Sequence, residues 1–385
     1  MLLRNVILVV VSGFLVALTF KFVSWYLPIV IESKWGTSVL AVVWSISYVA
    51  PLLALFISPL ADVFGRKPMI VIANLLLLLG FLACLLIGPH LLVFLFLLIV
   101  YTLVPTIVSS ALLSLISESV GSKYQGRVFS IAKITSSAGI AAGSLLFGYL
   151  LTYYGYDTAF LIACILVTIS LILRLFLVET LRPSTGNVSN VIREIFQRIK
   201  LGFEYSRDRI CFVVLVVLLA IAQAIVEPYF PVYFVHVAKL TLLEVSIVYT
   251  LFFVAGLVAG LPAEFFIDKY GPKYAYTIAC LSMALSDLVF VLLVNLGLRG
   301  LPPVLVMLVG SFFSTFSTTA FMVYVSRTTE QSYRTTVYTT LTVIHYASMI
   351  PGPIIGGILY NKNPNLPIIV EALIQLITMI IATKI

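Results

Sequence analysis

Two ionisable side chains lie deep inside long apolar stretches of the sequence, Lys21 in the first half and Glu227 in the second. A charge at the centre of a bilayer costs at least about 2.5 to 3.5 kcal/mol, so each residue needs a reason to be there. Each has a neighbour one helical turn away on the same face, Trp25 and Gln223 respectively. An acid and a base in one site could pair when the site is empty and exchange partners when a solute or proton arrives. Glu227 is the main candidate for carrying a proton.

A structural alternative exists for these charges. With a helix rise of about 1.5 Å per residue, Lys21 lies about 24 Å from a helix start at residue 5, and Glu227 about 26 Å from one at residue 210. At that depth both could extend to the outer surface, Lys21 more easily than the shorter Glu227. His345 is a second candidate for proton transfer or else a structural residue.

Hydroxyl-bearing residues follow one face of two further apolar segments. Tyr101 is followed by Pro105 and Ser109 at helical spacing, and Ser314 is followed in the same way by Thr318. These side chains could contact a solute. In membrane helices, isolated hydroxyls more often bond to the backbone or hold helices together, so both interpretations stay open.

The stretches that carry these residues are typical of an integral membrane protein. Of 385 residues, 62% are hydrophobic and only 10% are charged, which excludes an ordinary soluble domain. The apolar runs are continuous and can each cross a hydrocarbon core of about 30 Å as a helix, unlike the short alternating segments of a barrel. The twelve predicted spans are 5–30, 37–60, 68–88, 90–116, 128–151, 157–178, 210–235, 242–266, 274–296, 303–326, 335–360 and 366–384.

The basic residues set the predicted orientation. Most of the 23 Lys and Arg residues fall on the side of the membrane that holds both termini, so the termini are placed in the cytoplasm. The opposite side holds only Lys34, Lys239, Arg299 and Lys362. Lys133 and Arg174 lie inside spans and are predicted to reach the inner surface. The formal charge of +8 therefore reflects topology rather than a nucleic-acid partner.

One long polar connection, residues 181–209, divides the chain into two predicted six-helix bundles, 1–180 and 210–385. Its second part carries apolar residues at helical spacing, namely Val191, Ile195, Ile199 and Phe203. Basic residues lie between them, which predicts an amphipathic helix on the anionic inner leaflet. A solvated linker is the alternative.

The two halves repeat each other. The sequence DVFGRK at 62–67, after the second span, matches DKYGPK at 268–273, after the eighth. Further pairs lie almost the same distance apart: Pro28 with Pro231, Arg127 with Arg334, and Gly143 with Gly352. Two parallel six-helix repeats are typical of transporters, whose substrate site lies between the repeats near mid-membrane.

The first copy with its flanks, SPLADVFGRKP at 58–68, resembles the signature of the major facilitator superfamily, G-x-x-x-D-x-x-G-R-K/R. The first copy differs from the family signature at its first position, where Ser58 replaces glycine. The second copy has Glu264 at the same position. The resemblance implies an all-α integral membrane fold of twelve transmembrane helices in two pseudo-symmetric six-helix bundles. Spans one, four, seven and ten would then surround a central cavity. Substrate contact or proton coupling is thereby expected at Lys21, Trp25, Tyr101, Gln223, Glu227, Ser314, Thr318 and His345.

The duplicated motif is predicted to form a cytoplasmic latch between the halves. Asp62 could accept hydrogen bonds from the N–H groups that open span eleven, or pair with Arg127, and Gly65 would allow the tight turn. The predicted members are Asp62, Gly65, Arg66, Lys67, Arg127, Asp268, Lys273 and Arg334. Because the second copy is weaker, Asp62→Asn is expected to impair transport more than Asp268→Asn. The alternative is that these charges only set topology.

These features predict a secondary transporter that moves a small organic solute by alternating access, with a proton as coupling ion. Efflux of drugs or metabolites is favoured, and proton-coupled uptake of a sugar or organic anion is the alternative. A transporter-like sensor or a membrane enzyme fits less well, because no His, Asp or Glu cluster has metal-ligand spacing and no G-x-S-x-G occurs. No cofactor, metal or nucleic acid is expected. The predicted protein is a monomer that contacts lipid and spans the plasma membrane many times.

Overall fold

The computed structural model describes residues 2–57, 64–120, 122–180, 202, 204–330 and 334–384. Its helices are α1 (Leu2–Trp35), α2 (Thr37–Leu53), α3 (Arg66–Ile87), α4 (Leu91–Ser119), α5 (Ser122–Tyr153), α6 (Gly155–Leu175), α7 (Ile210–His236), α8 (Leu242–Tyr270), α9 (Pro272–Asn295), α10 (Leu301–Thr328), α11 (Thr336–Lys362) and α12 (Leu366–Ala382). Over these ranges ten helices are long and apolar enough to cross a membrane, while α2 and α12 are apolar but shorter. The prediction of an all-α membrane fold is confirmed.

The helices form two compact units. By residue range, these are Met1–Leu27 with Ala50–Ile195, and Pro28–Val49 with Phe196–Ile385. In the second unit α2 packs against the end of α11, where a Cβ on Gly357 would lie 3.1 Å from the Cβ of Ala41. The division into two six-helix bundles at residues 180 and 210 stays a prediction. Most of the linker at 181–209, with its predicted amphipathic helix, lies outside the described residues.

Matched glycines make the same kind of contact in each unit. A Cβ on Gly143 of α5 would overlap the backbone of Leu18 in α1. In the other unit, a Cβ on Gly352 of α11 would overlap Ala224 in α7. Each glycine therefore lets two helices approach more closely than any side chain would allow. The repeat read from the sequence thus has a structural counterpart within each unit.

Each unit also has its own aromatic core. In the first, the ring of Phe22 in α1 stacks on Phe147 in α5, with centroids 4.1 Å apart. In the second, Phe212 in α7 stacks on Tyr324 in α10 at 4.2 Å. Phe22, Phe147 and Phe212 are almost fully buried, so these contacts fix the rotation of α1 and α7. These are two of the helices that carry predicted site residues.

Candidate functional site

Glu227 lies where α7 is interrupted. The regular helix ends at Val226 and resumes at Phe230. Pro231 has no N–H group to donate to the carbonyl of Glu227 one turn earlier, so the helical ladder cannot continue through this point. At membrane depth, irregular backbone is tolerated only where it is buried in protein or lines a cavity. The interruption therefore marks this part of α7 as a candidate site.

A hydrogen-bonded network holds the Glu227 carboxylate. Its Oε2 atom accepts from the Tyr48 hydroxyl at 2.9 Å and from Nε2 of Gln223 at 3.2 Å. The Tyr48 oxygen in turn accepts from Nε1 of Trp44 at 3.1 Å. Trp44 and Tyr48 are almost fully buried, whereas Glu227 is half-buried. Oε1 of Glu227 accepts no hydrogen bond from a described residue, which leaves it available to a proton or to a donor group on a solute.

Two aromatic residues beside Glu227 were not predicted from the sequence, namely Trp44 and Tyr48. They lie one helical turn apart on α2, and that spacing was the available signal. A third aromatic, Tyr346 of α11, lies close enough to interact electrostatically with Glu227. The predicted residue His345 packs its ring edge-on against Tyr346, with centroids 5.6 Å apart. The structure thus brings the predicted Gln223 and Glu227 together with unpredicted aromatic residues.

Three of the predicted site residues lie in the first unit. Tyr101 is buried and stacks on Phe20, with ring centroids 4.2 Å apart. Trp25 is fully buried, and its Nε1 has no hydrogen-bond partner among the described residues. Lys21 is half-buried on the same helix. A pairing of Lys21 with Glu227 would join the two units, and it stays a prediction.

The hydroxyl groups predicted on α10 bond to backbone carbonyls. Ser314 donates to the carbonyl of Ser311 at 2.7 Å, and Thr318 donates to that of Thr315 at 3.1 Å. Ser311 itself donates across to α8, at the Phe252 carbonyl. These bonds fit the structural alternative of hydroxyls that satisfy the backbone and hold helices together. The lone pairs of the same oxygens can still accept from a solute.

The predicted latch begins at the amino terminus of α3. Gly65 precedes the helix with φ 99°, a conformation that favours glycine. The carboxylate of Glu179, after α6, accepts the backbone N–H of Lys67 at 2.9 Å. A carboxylate at a helix amino terminus is stabilising, so Glu179 orders the segment that carries Arg66 and Lys67. Asp62 lies outside the residues that the structure describes. The side chains of Arg127 and Arg334 also lie outside the described part.

Alanine at Gly65 should destabilise the protein more than alanine at Gly271. Both positions have positive φ, which costs about 1 to 2 kcal/mol with a Cβ. A Cβ on Gly65 would in addition lie 2.6 Å from Oε2 of Glu179, whereas one on Gly271 would meet no atom within 4 Å. We expect Gly65→Ala to lower the unfolding temperature in detergent more than Gly271→Ala does. Equal losses would show that Glu179 does not hold this turn.

The second copy of the motif has the same backbone form. Gly271 precedes α9 with φ 87°, and Lys273 lies in the first turn of that helix. The Asp268 carboxylate lies 3.6 Å from Nη2 of Arg327 at the end of α10, and both side chains are exposed. An exposed pair of this kind contributes about 0 to 1 kcal/mol. A latch that joins the halves through either copy stays a prediction.

One sequence prediction about a charged residue is wrong. Arg174 was expected to reach the inner surface, but it is only 2% exposed. Its Nε donates to Oγ of Ser12 at 3.4 Å and its Nη1 donates to Oδ1 of Asn74 at 3.3 Å. Polar groups on α1 and α3 keep the guanidinium inside the first unit, a solution that hydropathy alone does not indicate. Lys133 is exposed.

The fold and this site define a class of protein. This helical membrane protein has matched glycine contacts in two units and a carboxylate at a break in a spanning helix. These features are typical of the architecture of a secondary transporter. The sequence profile of the Major Facilitator Superfamily matches residues 9–353. The chain belongs to the major facilitator superfamily, a family of multi-pass membrane transporters rather than a class of enzymes. The resemblance seen in the sequence is thereby confirmed.

Solved structures share the fold at low sequence identity, and no curated protein sequence matches the chain. A D-xylose–proton symporter has a TM-score of 0.78 and 14% identity, with 99% of this chain and 97% of that chain covered. The nucleoside transporter NupG has a TM-score of 0.71 and 15% identity, with 98% of each chain covered. A POT family transporter in complex with a thioalcohol-conjugated peptide has a TM-score of 0.77 and 11% identity, with coverage of 98% and 95%. At these identities the likeness concerns the fold alone.

Proposed function

We propose that the protein exports a small organic solute by alternating access, in exchange for protons. The observation that carries this proposal is the Glu227 carboxylate at the break in α7, whose Oε2 accepts from Tyr48 and Gln223 and whose Oε1 has no donor among the described residues. Proton and solute would compete for this carboxylate, so binding of one releases the other. That competition is the minimum needed for antiport.

The surroundings of Glu227 favour a cationic or neutral amphiphilic solute. The Tyr48 hydroxyl donates to the carboxylate and Tyr346 interacts with it electrostatically, and an organic cation gains from both a negative charge and nearby aromatic residues. Export of drugs or metabolites of this kind is the direction that we propose.

Proton-coupled uptake of a sugar or organic anion is the second candidate. Gln223 beside Glu227 offers an amide that could bond a sugar hydroxyl, and Lys21 could bind an organic anion. The D-xylose–proton symporter of the same fold couples a sugar to protons. In this scheme Glu227 is loaded with a proton before the solute binds, and both then move inward together.

We also infer the setting in which the protein works. The excess of Lys and Arg on one side supports cytoplasmic termini, and a solute exporter of this kind would lie in the plasma membrane as a monomer surrounded by lipid. Proton and solute are the proposed partners, with no resident cofactor. A sensor of the same fold would bind a solute without flux.

Direction and coupling can be tested together in proteoliposomes. Purified protein is first screened for thermal stabilisation by organic cations, sugars and organic acids, and each stabilising compound is then tested for flux. Export predicts that an inward proton gradient drives the solute in the opposite direction, whereas symport predicts movement with the protons. Stabilisation without flux under any gradient would refute transport and support a sensor.

A further inference from the structure

The second unit contains a cavity with two buried carboxyl groups. It has a volume of about 140 Å³ and lies among α7, α8, α9, α10 and α12. Its polar lining consists of Ser286, Asp287, Ser311, Ser314, Glu371 and Gln375. Asp287 and Glu371 are each only 6% exposed, and none of the described residues that line this cavity is a lysine, arginine or histidine. Of these residues, only Ser314 is among the site residues predicted from the sequence.

Hydrogen bonding in the cavity leaves buried acceptors unsatisfied. Gln375, which is 1% exposed, donates from Nε2 to Oε1 of Glu371 at 3.2 Å. Oε2 of Glu371 and Oε1 of Gln375 are buried and accept no hydrogen bond from the residues that the structure describes. Asp287 interacts electrostatically with Glu371, and its carboxyl group is also within hydrogen-bonding influence of the Gln375 side chain. A buried acceptor without a partner is costly, so this group points to a missing positive charge or donor.

The hydroxyl groups of the cavity cannot supply that donor. Ser286 donates to the carbonyl of Met283 at 2.8 Å, Ser311 donates to Phe252 at 2.9 Å, and Ser314 donates to the Ser311 carbonyl at 2.7 Å. Their hydrogens are used on the backbone, and only oxygen lone pairs remain for the cavity. The lining is thus a set of oxygen acceptors with two carboxyl groups, which is the chemistry that binds hard cations.

We propose that Asp287, Glu371 and Gln375 form a binding site for a monovalent cation, either Na⁺ or a proton. One bound cation would offset part of the buried negative charge and satisfy the two orphan oxygens. Na⁺ would do so as a shared ion between Glu371 Oε2 and Gln375 Oε1, and a proton would do so as an O–H group on a carboxyl. Na⁺ and a proton share the same chemistry here, because each is a small positive charge bound by carboxyl or amide oxygens.

The site has an electrostatic connection to Glu227. Asp287 on α9 and Glu371 on α12 are the ionisable residues that line the cavity, and Glu227 on α7 acts on Glu371 from outside the lining. Charge at one carboxylate therefore changes the cost of charge at the other. If the proposed transport function holds, a cation at Glu371 would help couple ion binding to solute binding at Glu227.

Binding can be measured on the purified full-length protein without any transport assay. The unfolding temperature is recorded in NaCl and in choline chloride at equal ionic strength, over a series of pH values. Infrared spectra then report the C=O stretch of protonated carboxyl groups. The variants are Glu371→Gln and Asp287→Asn, with Glu244→Gln as the matched control. Glu244 belongs to a capping box with Thr241, a role that Gln also fills.

A Na⁺ site predicts a higher unfolding temperature in NaCl and an apparent Na⁺ affinity at least about tenfold lower in Glu371→Gln or Asp287→Asn. A proton site predicts no Na⁺ effect, but a protonated-carboxyl band that either variant removes and Glu244→Gln keeps. If one variant does not fold, the other decides. The absence of both signals in the wild-type protein would overturn the site, and this result is independent of whether the protein transports a solute.

Discussion

Glu227→Gln is expected to reduce proton-driven solute flux in proteoliposomes to the level of empty liposomes, while exchange of solute across the membrane continues. Glutamine keeps the shape of the side chain and can still bond to Tyr48 and Gln223, so the network beside the α7 break should survive. It cannot take up or release a proton. A solute that still binds through the neighbouring residues, with lower affinity because the negative charge is lost, then exchanges without proton competition but does not move against a gradient. Flux with and without an imposed pH gradient measures the two activities separately.

The matched control for that variant is Glu244→Gln, which makes the same chemical change at the capping box of α8. Its flux should equal that of the wild-type protein. The proposal also requires that solute affinity of the wild-type protein fall as protons are added, and that this dependence vanish in Glu227→Gln. If Glu227→Gln keeps the proton-coupled flux of the wild-type protein, Glu227 does not carry the coupling proton. His345 and the cation site would then be the remaining candidates.

The sequence located Glu227 for a physical reason. An acidic residue inside an apolar span is costly, and its neighbour Gln223 lies one helical turn away, so both could be selected without a structure. Tyr48 and Trp44 could not be selected in this way. Aromatic residues are common in membrane helices, and only the packing of α2 against the rest of the second unit brings these two to Glu227.

Asp287 and Glu371 show a different limit. Each is an acidic residue inside an apolar span, the same signal that selected Glu227. The family resemblance implies a central cavity lined by spans one, four, seven and ten, whereas these residues lie on α9 and α12. Their proximity depends on how α9 packs against α12, which no local pattern records. The repeat, by contrast, was readable because matched glycines keep their spacing along the chain.

The glycine contacts lead to the second large effect. Gly143→Ala and Gly352→Ala are each expected to destabilise the protein by about 1 to 3 kcal/mol or more. A Cβ on Gly143 would overlap backbone atoms of Leu18, and one on Gly352 would overlap Ala224, including its backbone. Backbone atoms cannot rotate away as a side chain can, so whole helices must shift. Unfolding by heat or by denaturing detergent, followed by circular dichroism, measures the loss.

Gly260→Ala in α8 is the matched control, because its Cβ would meet no atom within 4 Å and the helix has ordinary dihedral angles there. That variant should be neutral or stabilised by up to about 1 kcal/mol, the usual gain of alanine over glycine in a helix. If Gly143→Ala matches Gly260→Ala, the close approach of α1 and α5 does not exist. If only one of Gly143→Ala and Gly352→Ala destabilises, the two units do not share this contact, and the repeat would be one of sequence rather than of packing.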